Sequence, residues 1–176
     1  QNKLIVPKNQ LIELTKGSLT LGNLIVEPFA VSHDAADPIG INVFAGKDKA
    51  TVVTDTGVIS DSILRRMDDT TLLVLEANYD PHMLRFGPYQ PFLKQRVASD
   101  EGHLSNEMAA QALLMMNRPD FMQVILAHRS ENNNNAVLVT QTIGKMLVDG
   151  GVRIGPEMKL QHGQPNEIVS MKSVKR

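Results

Sequence analysis

Three apolar stretches in this chain each run into a residue able to hold a metal ion. Leu24 to Val31 leads through Ser32 to His33, Ala50 to Thr54 leads to Asp55, and Val124 to Ala127 leads to His128. Ligands in α/β proteins gather beyond the carboxyl ends of strands. Neutral imidazole and carboxylate are the donors that zinc or manganese takes in a hydrolytic site. Each residue taken alone also has a structural reading. An isolated histidine is commonly a hydrogen-bonding group, and Asp55 ahead of Thr56-Gly57 suits a turn or a cap. There is no cysteine, which excludes disulfides, thiolate zinc sites and cysteine nucleophiles.

The elements that must position these residues read as short strands followed by alternating strands and helices, an α/β pattern. Leu4 to Val6, Leu11 to Leu14 and Ser18 to Leu21 are expected as strands or hairpin arms, and Leu24 to Val31 as a strand. Ile41 to Phe44 and Ala50 to Thr54 flank Gly46-Lys47-Asp48 as a hairpin. Ser60 caps a short helix with Ile63, Leu64 and Met67 on its apolar face. Thr71 to Leu75 is a strand covered on both faces. Residues 80–104, with Pro81, Gly87, Pro88, Pro91 and Gly102, are expected to be irregular. Ser105 caps a helix carrying Met108, Ala109, Ala112, Leu113 and Met116, and Val124 to Ala127 is a buried strand. Asn132 to Asn135 turns the chain into a helix with Val139, Ile143, Met146 and Leu147, closed by Gly150-Gly151. Val152 to Ile154 and Glu167 to Met171 are expected as last strands, with a frayed basic end at Lys172, Lys175 and Arg176.

With 176 residues, 42% apolar and 21% charged, the chain is sized for one soluble domain with a real core. No apolar run approaches the roughly 18 residues of a membrane span, and Gln1 to Gln10 has no secretory pattern. Absence of cysteine fits a cytoplasmic protein. A net charge of −1 gives no global basic field. Because the first residue is Gln1, the chain is expected to be processed, cleaved or an excerpt of something longer.

The order and context of the three residues resemble the β-CASP and YycJ-like branches of the metallo-β-lactamase fold. There a strand ends in a His followed by a short Asp/Pro/Gly loop, here His33-Asp34-Ala35-Ala36-Asp37-Pro38-Ile39-Gly40. About one hairpin later a strand ends in an Asp, here Asp55, and near the end an apolar strand delivers the last His, here His128 in Leu126-Ala127-His128-Arg129-Ser130-Glu131-Asn132-Asn133. The YycJ (WalJ)-like group is singled out by what lies between. Leu75-Glu76-Ala77-Asn78-Tyr79-Asp80 resembles its Glu-Ser-Asn-His-Asp segment. Met83 to Tyr89, Leu93 to Val97, and Gly102-His103-Leu104-Ser105-Asn106 resemble its long substrate-side loop.

This resemblance implies an αββα metallo-β-lactamase fold, with mixed β-sheets flanked by helices. Residues 1–176 would be the C-terminal portion of a single such domain. It implies two ions, Zn2+ or Mn2+, with Asp55 bridging them, His33 on one and His128 on the other. His103 resembles a histidine that reaches the scissile phosphate and supports the leaving oxygen, and Glu76 would orient His103. A loop His that hydrogen-bonds backbone, and a strand-end Glu facing solvent, are the ordinary alternatives. Arg85, Lys94, Arg96 and Arg129 flank the long loop and could meet the phosphates of DNA or RNA, although a solvated surface is the plainer reading of each. One departure is large: the family's His-x-His-x-Asp-His motif, which supplies four ligands, does not occur in the sequence. Each ion would then take only two ligands from this chain, where zinc sites take three or four. The chain alone is expected to hold metal weakly or not at all and to be inactive.

The leading expectation is a metal-dependent phosphodiesterase, an exonuclease on nucleic acid in its full-length form. A hydrolase of small esters is the second enzyme reading. The third is a non-catalytic half-domain that associates with its missing half, another partner or a second copy of itself through exposed apolar faces.

Overall fold

The computed structural model of the protein describes residues 17–164 together with 7, 12, 14, 168 and 169. The strands expected at Leu4 to Val6, Leu11 to Leu14 and Glu167 to Met171, and the basic end, fall wholly or mainly outside the described residues.

Two hairpins open the sheet. β1 (Leu19–Leu21) and β2 (Leu24–Ala30) pair antiparallel, with Leu21 opposite Leu24. β3 (Ile39–Ala45) and β4 (Asp48–Val53) do the same, with Ala45 opposite Asp48. Both links are two residues long and begin with a glycine at φ +62, Gly22 and Gly46. A right-twisted hairpin needs a positive φ there, which glycine adopts without a Cβ clash. After β4 every connection contains a helix, and every further pairing is parallel. α1 (Asp61–Met67) leads to β5 (Leu72–Glu76), and α5 (Ala136–Asp149) leads from β6 (Met122–Ala127) to β7 (Met158–His162). The long β5–β6 crossover holds α2 (Pro81–Phe86), α3 (Pro91–Val97) and α4 (Asn106–Met115). The seven strands lie in chain order in one mixed sheet. The α/β expectation therefore holds, as one sheet rather than several among the described residues.

The core lies between the helices and one face of this sheet. Val53, Leu73, Leu75, Val124 and Leu126, two apart along their strands, pack with Ile63 and Met67 of α1, Ala109 and Leu113 of α4, and Ile143 and Leu147 of α5. Side chains on the other face stay partly open: Val52 and Ile39 are 37% and 43% exposed, and Leu72, Val74 and Ile125 are half-buried. Caps match the sequence reading. Ser60, Ser105 and Asn135 each accept from a backbone N–H three residues on.

Two expectations are corrected. Residues 80–104 are not irregular, because Pro81 and Pro91 open α2 and α3. Proline at a first helical position has its φ preset and lacks an N–H that would be unbonded there anyway. Asp80 Oδ1 completes the first of these starts by accepting from Met83 N–H at 2.8 Å. Val152 to Ile154 is not a strand: Ile154 makes only an isolated bridge to Met158, and β7 is the last strand among the described residues.

Two glycines test the packing from opposite sides. A Cβ on Gly57 would sit 2.2 Å from Ser99 O and 2.4 Å from Asp100 C, both rigid backbone. Gly57→Ala is expected to lower the unfolding free energy by about 1–3 kcal/mol, read as a lower urea midpoint at unchanged slope. On α5, a Cβ on Gly144 meets only Ile154 Cδ1 at 3.8 Å. Gly144→Ala is expected to raise stability by about 0.5–1 kcal/mol through helix propensity in the same titration.

Candidate metal centre

His33, Asp55 and His128 lie in loops that follow β2, β4 and β6, and the backbone ties these loops together. Gly57 N–H donates to Ser32 O at 2.9 Å, and Ser32 N–H donates to Thr56 Oγ1 at 3.2 Å. Asn78 Nδ2 donates to His128 O at 2.8 Å, and Ala77 N–H to Ala127 O at 3.0 Å. Asp55 and His128 both sit in the left-handed region, at φ 56 and 51. Few non-glycine residues adopt it, and such positions cluster at functional sites. Asp69 (φ 56) is the other described case, in the turn between α1 and β5.

The structure brings the candidates together. Asp55 Oδ1 is 3.9 Å from His33 Nε2 and 3.6 Å from His128 Nε2. A ring nitrogen of His103 lies within 4.8 Å of the donor atoms of His33 and Asp55. The ring centroids of His33, His103 and His128 follow one another at 5.0 and 5.1 Å.

Each imidazole is held through its Nδ1. His33 Nδ1 contacts Gly102 O at 3.0 Å, and a carbonyl only accepts, so that nitrogen carries the proton. His103 Nδ1 and His128 Nδ1 both donate to Glu76 Oε1, at 2.7 Å each. Glu76 is fully buried, and its second oxygen accepts from Thr56 N–H at 3.1 Å. Burial pushes the Glu76 carboxyl up, but the hydrogen bonds from His103 and His128, the charge of His103 and the Thr56 N–H outweigh it and hold it below the ordinary value. The hydrogen bond to Glu76 raises the His128 pKa; burial opposes this, and the charges of Glu76 and Asp55 add to it.

This arrangement bears on whether the residues fit a metal. With Nδ1 protonated, the neutral ring of His33 or His128 turns an Nε2 lone pair toward a carboxylate. At 3.6–3.9 Å the two groups are beyond hydrogen-bond range. Ligands on one tetrahedral ion at bond lengths of 2.0–2.1 Å stand about 3.4 Å apart. Donors spaced for a divalent cation of the Zn2+ or Mn2+ kind occur in two overlapping groups, His33 with Asp55 and His103, and Glu76 with His103 and His128, and Asp55 lies between His33 and His128.

Of the other candidates, Arg96 and Arg129 line one open cleft of about 380 Å³ with His103, His128 and Asn78, whereas Arg85 and Lys94 are not in its lining. Arg96 pairs through two nitrogens with Asp34, Nη2 to Oδ1 at 2.9 Å. One Nη of Arg129 is buried without a partner among the described residues. Sequence reasoning passed over Asp34 as a partner for Arg96, Thr56 as the knot between three loops, and the buried amide pair of Asn106 and Asn134. That pair joins the starts of α4 and α5 and donates to Ala77 O at 3.1 Å. The one available signal was the density of Asn, Asp and Thr at strand ends.

A family model described as a β-lactamase superfamily domain matches residues 2–128. The chain is 33% identical over 161 residues to a protein named exodeoxyribonuclease YycJ of Bacillus anthracis, spanning 91% of this chain and 61% of that protein. It is 33% identical over 147 residues to exodeoxyribonuclease WalJ of Streptococcus pneumoniae, spanning 84% of this chain and 55% of that one. The chain thus covers somewhat more than half the length of these relatives. Among solved structures, the metallo-β-lactamase fold protein YhfI from Bacillus subtilis superposes with a TM-score of 0.56 at 15% identity, over 83% of this chain and 50% of that one. That likeness is one of fold.

Two outcomes are expected. Glu76→Gln should weaken Zn2+ or Mn2+ binding by about 10- to 100-fold, measured by calorimetry with far-UV circular dichroism unchanged. For the metal-free protein, the raised His128 pKa means the charged ring stabilises the fold. That contribution is complete below the unfolded value near 6.5 and is lost as pH rises through the higher folded value. His128→Ala should remove this loss from the stability–pH profile, and metal uptake by the wild type should fall as the pH is lowered through the same range.

Proposed function

The chain belongs to the β-lactamase superfamily, and from that premise we propose that it is the C-terminal portion of a metal-dependent phosphodiesterase, a cytoplasmic exonuclease on nucleic acid in its full-length form. The observation that carries this reading is the set of Nδ1-tied imidazoles whose free nitrogens surround the Asp55 carboxylate. The names of the two exodeoxyribonuclease relatives support nucleic acid as the substrate. His33, Asp55 and His128 are the residues of this chain that would hold the metal. A bound Zn2+ or Mn2+ supplies Lewis acidity toward a phosphoryl oxygen and lowers the pKa of water.

The chain's own groups do the rest. Glu76 fixes the tautomer of His103 and His128 through one oxygen, so each presents Nε2 outward. His103 lines the cleft where a phosphodiester would lie and supports the leaving oxygen. Arg129 and Arg96, at the same cleft, meet the flanking phosphates. Three shared donors fall short of what two ions need, so the chain alone holds metal weakly and is inactive. The full-length protein with Mn2+ or Zn2+ should shorten end-labelled DNA, while His33→Ala, Asp55→Ala and His128→Ala each reduce cleavage to the metal-free level. Hydrolysis of small phosphate or carboxylate esters without any of DNA or RNA would replace this reading.

A specific observation favours a second reading for the chain by itself. The partly open sheet face, with Ile39, Val52, Val74 and Ile125, is a surface for association with the remainder of the domain or with another copy. Light scattering of the isolated chain should return a mass above the monomer; a monomer across the concentration range sets this reading aside.

A further inference from the structure

The stretch from Pro81 to Ser99 is set apart by its charge and its exposed rings. The protein carries a net charge of −1, yet this stretch holds Arg85, Lys94 and Arg96 and no Asp or Glu. Phe86 closes α2 at 66% exposed, and Phe92 is the second residue of α3 at 70% exposed. The Arg85 guanidinium lies 5.3 Å from the Phe86 ring centroid, and the His82 ring lies 4.6 Å from it. Lys94 Nζ donates to the Arg85 backbone carbonyl at 2.7 Å, which joins the two helices.

The surface is continuous with the candidate metal centre. Leu93 and Val97 turn inward and pack with Tyr79 and Leu84. Phe92 and Arg96 are four residues apart on α3, hence neighbours on one stripe about 6 Å apart along the axis. Arg96 lines the cleft that holds His103 and His128, and Asp34 fixes its guanidinium there. Two open phenyl rings beside Arg85 and Lys94, with no carboxylate between residues 81 and 99, suit a ligand that offers flat π-faces on an anionic backbone. A duplex keeps its bases stacked and covers those faces; an unpaired strand presents them.

We propose that Phe86 and Phe92 form a base-stacking platform for an unpaired nucleic-acid strand, which Arg85, Lys94 and Arg96 hold by its phosphates and lead into the cleft at His103 and His128. The proposal rests on the phosphodiesterase reading above and adds the strand state of its substrate. Both rings lie outside the core, so their removal leaves the packing of α2 and α3 intact.

The test is fluorescence anisotropy of a short labelled oligo-dT with the protein in EDTA, where binding is read without hydrolysis. Failure of this inference is therefore seen separately from failure of the metal chemistry. Phe86→Ala and Phe92→Ala should each weaken binding about 5- to 150-fold. Phe92→Tyr should retain it, and a duplex of the same sequence should compete poorly. Matching melting temperatures check that the variants fold. No binding by the wild type, equal binding by wild type and the alanine variants, or a preference for duplex overturns the proposal. So does a platform that serves another ligand: vesicles rich in phosphatidylserine, or a second copy seen by light scattering, lost in the alanine variants while oligo-dT binding is unchanged.

Discussion

One buried carboxylate sets the geometry on which the candidate site depends. Glu76 ends the central parallel strand β5 with no exposure to solvent. An ionised carboxylate taken out of water costs several kcal/mol unless its oxygens are satisfied. Here one oxygen takes two imidazole N–H groups and the other takes the Thr56 N–H. Those three donors come from three separate loops: after β4, ahead of α4 and after β6. The desolvation of a single side chain is thus offset by contacts that also fix where the loops stand.

The loops reach Glu76 with backbone that is itself under constraint. Asp55 and His128 occupy left-handed conformations that cost roughly 1–2 kcal/mol for an ordinary residue. The surroundings hold them there. Thr56, next to Asp55, is bonded on both its N–H and its hydroxyl, and the His128 carbonyl is taken by Asn78. On the opposite side, the segment after α3 presses on the His33 loop. Asp34 N–H donates to Glu101 O at 3.1 Å, and Gly102 offers its carbonyl to the His33 ring. The same segment carries His103, so ligand orientation and the neighbouring histidine share one support.

Much of this was legible in the residues, for reasons that differ by element. Strands β2 to β6 and helices α1, α4 and α5 announced themselves through apolar period and caps, as Ser60, Ser105 and Asn135 show. That His33, Asp55 and His128 fall just beyond strand ends was legible from the apolar runs that precede them. Helices α2 and α3 were not, since each is shorter than two turns and begins with proline, which reads equally as a loop. β7 hid because Met158-Lys159-Leu160-Gln161-His162 offers only two apolar residues. Glu76 could be named, but nothing in the residue string says that one of its oxygens would serve two rings. That depends on how the β5 and β6 ends come side by side, with Glu76 opposite Ala127.

The unbroken strand order keeps sheet contacts close in sequence. Among the described residues every strand pairs with its neighbour in the chain, so most pairings close short sequence separations. The exception is the step from β5 to β6, which must close over three helices before pairing begins. Closing that connection costs more entropy than the two-residue hairpins, although the cost grows only slowly with length. His128, the last imidazole of the cluster, lies beyond this connection, so bringing it beside Asp55 depends on the pairing of β5 with β6, the longest-range pairing of the described sheet.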